Sequence, residues 1–363
     1  MVFWWRPFWG SGQMRTIIAI AKILAVAGLA LLLLEYTLRT VRSLSRYGVL
    51  HLSSPSADVE FHPEYGWISP SSRRVEKRDD CFGRGWVTYN KEGFRAPPMS
   101  HARDAEPVIC MLGDSTLHAF QIPDGQTLPH LLDSRLRQHF ARPFVLPLAV
   151  GGYGSAQEWM LFEEFCQDLN PAVVIQHWSE NDRINNSYLS ERYSGPTNNN
   201  ARLRPYLENG ELALRRPYPV RVSDWIDGLL VTRAVNTLGL SWTKDPELAS
   251  QGVEEGWQVA EEVTRRLSKS ISTKIALVEE TEGRAIEMFR RHGFLVATYA
   301  PLTADETCLP DDPHPNPAGH HRLLKALWPT LESVLREMAL AASNSPTTVQ
   351  SRGDDRGTEP IPD

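Results

Sequence analysis

The chain has 363 residues, 42% of them hydrophobic and 23% charged, which is the make-up of a globular protein with room for one good-sized domain plus appendages. Its formal net charge of −6 excludes the basic face that nucleic-acid binding needs, so no nucleic-acid partner is expected. The cysteines Cys81, Cys110, Cys166 and Cys308 show neither CxxC pairing nor metal-ligand spacing. Cys110 lies in an apolar run and reads as a buried thiol. Cys81 and Cys308 sit in loop-like sequence and could pair in an oxidising compartment.

Residues 1–15 form an aromatic and basic segment in which Phe3, Trp4, Trp5, Phe8 and Trp9 crowd together, as suits a bilayer interface. Thr16–Leu34 is apolar apart from Lys22, and at 1.5 Å per residue it spans about 28 Å, close to a hydrocarbon core. Residues 16–35 therefore read as a transmembrane anchor. A cleaved signal peptide is the competing reading, because Ala25-Val26-Ala27 resembles a cleavage site; Gly28 and more leucines would then make a poor start to a mature chain. Arg6 and Arg15 precede the span, and Arg39, Arg42 and Arg46 follow it, so basic residues leave its orientation open.

Residues 36–57 read as a juxtamembrane helix and linker. Residues 58–100 form a small accessory segment in which Tyr89-Asn90-Lys91-Glu92-Gly93-Phe94 suggests a hairpin. From 101 to 342 the pattern alternates as a parallel α/β domain does. Strands are expected at Val108–Leu112, Phe144–Val150, Ala172–Trp178 and Phe294–Ala300. Helices are expected at Thr127–His139, Ala156–Cys166 and Pro317–Ala341, with a long helical stretch over 254–292, broken near Thr273–Val278. An insert at 183–250 holds an asparagine-rich loop (183–200), a hairpin at Arg204–Arg215 around Asn209-Gly210, and an amphipathic helical stretch over 221–243. The polar tail 343–363 reads as disordered.

Four blocks carry chemistry. Gly113-Asp114-Ser115 ends the first strand and aims a hydroxyl at the carboxyl edge of a parallel sheet, where open α/β folds bind ligands. Gly151-Gly152-Tyr153-Gly154 follows the second strand, Ser179-Glu180-Asn181-Asp182 the third, and Asp311-Asp312-Pro313-His314-Pro315-Asn316 lies near the C-terminal helix. Each alone has a plain alternative. The glycines serve turns, Asn181-Asp182 caps a helix, and His177 and Trp178 pack a core. Asp311, Asp312, His314, His320 and His321 are candidate metal ligands, but His320 and His321 point about 100° apart on a helix, so no metal is expected.

In order and spacing the blocks resemble the SGNH (GDSL) hydrolases, over residues 105–335, with one departure: Ser179 stands where that family has glycine. The upstream stretches His62-Pro63-Glu64-Tyr65-Gly66-Trp67 and Asn90-Lys91-Glu92-Gly93-Phe94-Arg95 are similar to those preceding the serine block in membrane-anchored bacterial envelope members. The resemblance implies a flavodoxin-like three-layer α/β/α domain with a parallel sheet, and no cofactor. It implies catalysis by Ser115, His314 and Asp311, and an oxyanion hole from the Ser115 and Gly152 backbone N–H groups and the Asn181 amide. Ser115 would attack an acyl ester while His314 takes its proton and Asp311 fixes the imidazole tautomer. It also places the domain outside the cytoplasm, as a single-pass periplasmic or extracytoplasmic esterase or O-acyltransferase acting on acylated envelope polysaccharide. A lipolytic esterase or thioesterase, favoured by the anchor and the apolar insert, is the enzymatic alternative. A non-catalytic envelope polysaccharide scaffold, hinted at by Ser179, is the alternative from another class. The sequence leaves the oligomeric state open.

Overall fold

A computed structural model describes residues 11–46, 59–62, 64–79, 83–193, 204–208, 211–215, 244–308 and 312–344. The apolar N-terminal run lies within one long helix, α1 (Ser11–Arg46). Its stretch Arg15–Thr37 is long and apolar enough to cross a membrane, with mean hydropathy 2.8. Ile23, Leu24, Val26 and Leu32 all lie open, as side chains on a lipid-facing helix would. The stretch expected as an anchor and the start of the one expected as a juxtamembrane linker are thus one continuous helix.

The accessory segment contributes two small antiparallel pairs: β1 (Glu60–His62) with β2 (Gly66–Ile68), and β3 (Arg74–Asp79) with β4 (Gly83–Thr88). The hairpin expected at 89–94 is displaced. Its ladder lies one element earlier, in β3 and β4, and 89–94 is the tight turn that follows. Asn90 explains this turn, because its side-chain oxygen accepts the N–H groups of Glu92 and Phe94 at 3.1 and 2.8 Å and competes with strand pairing.

The main domain then runs in chain order through β5 (Val108–Gly113), α2 (Ser115–His118), α3 (Leu128–Leu136), β6 (Phe144–Ala149), α4 (Ser155–Phe165) and β7 (Val173–His177). Next come α5 (Asp182–Asn185), α6 (Tyr188–Tyr193) and the hairpin β8 (Arg204–Glu208) with β9 (Glu211–Arg215). It closes with α7 (Pro246–Ser270), β10 (Lys274–Glu279), α8 (Gly283–Arg291), β11 (Leu295–Tyr299), the pair β12 (Thr307–Cys308) and β13 (Asp312–Pro315), and α9 (Pro317–Asn344). Five parallel strands make one sheet in the order β11-β10-β7-β5-β6. This is the flavodoxin-like order expected from the resemblance, and its switch point falls between β5 and β7.

Period-two alternation builds the layers. Val108, Cys110 and Leu112 point into a core with α4, α7 and α8, whereas Ile109 and Met111 point into a second core with α3 and α9. The helices answer at helical spacing, Leu128, Leu132 and Leu136 on α3 and Leu323, Leu327 and Leu331 on α9. Tyr65, Trp67 and Phe94 of the accessory segment are buried in the first core, so that segment is part of the domain's packing.

The strands at 108, 144, 173 and 295 lie within one or two residues of expectation. The hairpin register Arg204↔Arg215 also matches, its turn residues 209–210 lying outside the described residues. The break expected near Thr273–Val278 is a full strand, β10: Ile275-Ala276-Leu277-Val278 is too short to separate from a buried helix by periodicity. Cys110 is not a thiol but is disulfide-bonded to Cys166, just past α4. Cys308 is disulfide-bonded as well, while Cys81 lies outside the described residues. The 221–243 stretch, the 194–200 part of the polar loop and the 345–363 tail also lie outside them.

Candidate active site

Ser115 is the first residue of α2, directly beyond the carboxyl end of β5, and is half-buried. The preceding Asp114 caps that helix, accepting the Thr116 N–H at 3.0 Å. Its buried carboxylate gathers three further donors: Ser115 Oγ at 3.3 Å, Ser179 Oγ at 2.9 Å and the Asn181 amide at 2.9 Å. The serine block and the block after β7 are therefore tied together across the switch point. Asn181 uses one of its two amide hydrogens on Asp114.

The Gly block lies against the serine. A β-carbon at Gly151 would lie 3.9 Å from Ser115 Cβ and 3.6 Å from His118 Nδ1. Gly152 has φ of +78°, a left-handed backbone that glycine adopts without a steric cost. The accessory segment fixes this loop from behind. Trp67 Nε1 donates to the Gly151 carbonyl at 3.1 Å, the Tyr153 hydroxyl returns a bond to the Trp67 carbonyl, and Gln157 Nε2 donates to the Tyr65 carbonyl at 2.7 Å.

His314 sits on β13, which packs against α2, and its ring lies 6.4 Å from that of Phe120, centroid to centroid. Its Nδ1 is hydrogen-bonded to Asp312 Oδ1, and Asp312 also accepts the His314 N–H at 2.9 Å and Gln121 Nε2 at 3.0 Å. Asp311, the expected partner of His314, lies outside the described residues; among those described, Asp312 supplies the carboxylate bonded to the ring. Burial pushes Asp312 up, but the His314 bond and charge, with Gln121, outweigh it and hold the carboxyl at about 2. Burial opposes charge on His314, yet Asp312 and then Asp114 raise it above the ordinary histidine value.

Beneath the site lies a buried acidic group. Burial, and then the Asp114 charge, push Glu158 up to about 8; burial with Glu158 and Asp114 pushes Asp182 well up. Burial and the neighbouring Asp114 carboxylate thus both disfavour charge on Glu158 and Asp182. His320, weighed as a metal ligand, instead accepts the Leu128 N–H at 3.1 Å at the start of α3 and is fully buried. No group of three His, Cys, Asp or Glu residues among the described residues could hold a metal.

Sequence reasoning missed the residues that brace the serine turn. Ala119, past the end of α2, is left-handed at φ +46°, a conformation costing about 1–3 kcal/mol for a non-glycine residue. Buried Arg95 offsets it: its guanidinium donates to the carbonyls of His118, Ala119 and Ile122 and to Asp124. His118 Nε2 lies 3.1 Å from both Ser69 Oγ and Tyr89 OH. The only signal for this brace was an arginine closing the Asn90–Arg95 stretch of otherwise turn-like sequence.

No family model and no curated sequence matches the chain. Among solved structures it is similar to TesA, with 15% identity over 62% of this chain and 99% of that one at a TM-score of 0.33. It is similar to Axe2, an acetylxylan esterase from Geobacillus stearothermophilus, with 11% identity over 64% and 96% at a TM-score of 0.38. It is similar also to a two-domain esterase (CEX) active on acetylated mannans, with 14% identity over 73% and 56% at a TM-score of 0.33. The sheet order, with the Ser, Gly, Asn and His blocks at one edge of the domain, is that of the flavodoxin-like α/β fold expected from the sequence.

Proposed function

We propose that the chain is a membrane-anchored serine esterase that works through an acyl-enzyme on acylated envelope polysaccharide, with transfer to a sugar hydroxyl as its alternative outcome. The observation that carries this reading is the His314 ring, held by Asp312 on a strand packed against the turn that bears Ser115. In it, His314 Nε2 takes the Ser115 proton as Oγ attacks the acyl carbonyl, and Asp312 bonded to Nδ1 stabilises the imidazolium. The protonated ring then delivers its proton to the leaving alkoxide, and a water or sugar hydroxyl resolves the acyl-enzyme by the reverse sequence. The Ser115 and Gly152 N–H groups and the other Asn181 amide hydrogen would receive the oxyanion, each donor contributing about 3–4 kcal/mol to the transition state.

One observation supports placement outside the cytoplasm: the Cys110–Cys166 disulfide within the core suits an oxidising compartment. Helix α1, long and apolar enough to cross a membrane, supports the anchoring. The polar rim beyond β7, where Arg183 pairs with Glu180 and Asn185 donates to the Tyr153 carbonyl, suits a hydrophilic sugar rather than an alkyl chain. Purified protein should hydrolyse a chromogenic acetyl ester faster than its long-chain homologues, and Ser115→Ala should lower kcat by ~10³-fold or more. Equal rates for wild type and variant would refute the mechanism.

A further inference from the structure

The turn after β7 carries a serine at the position where the resembled family has glycine, and that hydroxyl is engaged on both sides. Ser179 Oγ donates to Asp114 Oδ1 at 2.9 Å and lies 3.3 Å from His177 Nδ1. A hydroxyl has one hydrogen, and the Asp114 carboxylate has taken it, so Oγ can only accept from the imidazole. His177 therefore carries its proton on Nδ1. The ring is fully buried, and burial, against the pull of Asp114, lowers its pKa to about 4, so it is neutral and Nε2 is a bare acceptor. Tyr299 OH, 3.2 Å from Nε2 with its ring stacked on the imidazole, must then donate.

One assignment of hydrogens satisfies every atom: Tyr299 to His177, His177 to Ser179, Ser179 to Asp114. The chain gathers side chains from β11 and β7 onto the residue that caps α2. Its terminus, Asp114, also holds Thr116 N–H, Ser115 Oγ and the Asn181 amide. With glycine at 179, Asp114 would lose a charge-assisted bond and the His177 Nδ1–H would face a buried gap.

Resting on the esterase reading above, we propose that Ser179 is a positioning residue, which fixes Asp114 and the Ser115 turn through a one-way hydrogen-bond relay from Tyr299 and His177. The departure from glycine is on this account an added brace within a working site. Ser179→Ala should lower kcat on an acetyl ester about 10-fold, the loss of one bond to a charged group, with KM little changed, and Ser179→Thr should restore most of it. Tyr299→Phe should cost less, and adding it to Ser179→Ala should cost nothing more, because the relay is already cut. Losses that multiply in the double variant, or a threonine variant no better than alanine, would overturn the proposal. Ring ¹⁵N shifts of His177 give a readout free of turnover: wild type should show Nδ1 protonated and Nε2 bare. The opposite tautomer overturns the relay whatever the activity. The predicted tautomer in a protein without Ser115-dependent turnover would uphold the relay and defeat the esterase reading.

Discussion

The turn that carries Ser115 is held from distant stretches of chain, whereas the strand that carries His314 is held chiefly by its own neighbours. Arg95, Ser69 and Tyr89 reach the serine turn from the accessory segment, and Ser179 and Asn181 reach it from beyond β7. On the histidine side, β13 pairs with β12, and Asn316 donates to the carbonyls of Asp305 and Thr307 while accepting the N–H groups of Ala318 and Gly319. Gln121, donating to Asp312, is a bond from the serine side to the histidine side. The proposed nucleophile is thus placed by the tertiary fold, and the proposed base by a short local motif. A change on the histidine side should act on proton transfer with the fold intact. A change on the serine side should move activity and stability together.

The largest effect is expected at the carboxylate. Asp312→Asn should lower kcat by about 10²–10⁴-fold, a far larger effect than its loss of melting temperature, because it removes the group that orients and charges His314. Asp311→Asn should cost far less, and the reverse ranking would show that the ring is held otherwise. The pH profile sharpens this. His314 must be neutral to accept a proton, and its value is raised, so kcat/KM should climb with pH through an apparent pKa above 6.5. In Asp312→Asn the raising group is gone and that pKa should fall. The stability terms have opposite signs. The depressed Asp312 stabilises the fold above its unfolded value and ceases to as pH falls towards 2, while the raised His314 stabilises it below 6.5 and ceases to at higher pH.

A smaller effect on rate, with a larger one on stability, is expected at Arg95. Arg95→Lys keeps a charge but cannot span three carbonyls and Asp124 with one planar fork. The melting temperature should fall by roughly 10 °C and kcat about 10-fold. A variant as stable as wild type would mean that the strained Ala119 turn needs no brace from the accessory segment.

The same contrast governs what was legible in the sequence. Blocks that act locally could be read: Gly113-Asp114-Ser115 at a strand end, Asn181 after the third strand, and His314 followed by Asn316 before a proline-led helix. Local reading named Asp311 from the family's spacing, whereas the Asp312 bond to Nδ1 follows from the path of β13, which sequence alone does not reveal. Nor could it find Arg95, Tyr89 or Tyr299, whose roles arise from packing across 20 residues or more. β10 was missed for a related reason, being a strand only because β7 and β11 flank it.

Reaction of the intact protein with a fluorophosphonate, followed by peptide mapping, tests the proposed pairing of Ser115 with His314 most directly. The hydroxyl at 115 should carry the adduct, and His314→Ala should suppress labelling while Asp311→Asn leaves most of it. An unlabelled protein, or an adduct at any other residue, would contradict the account.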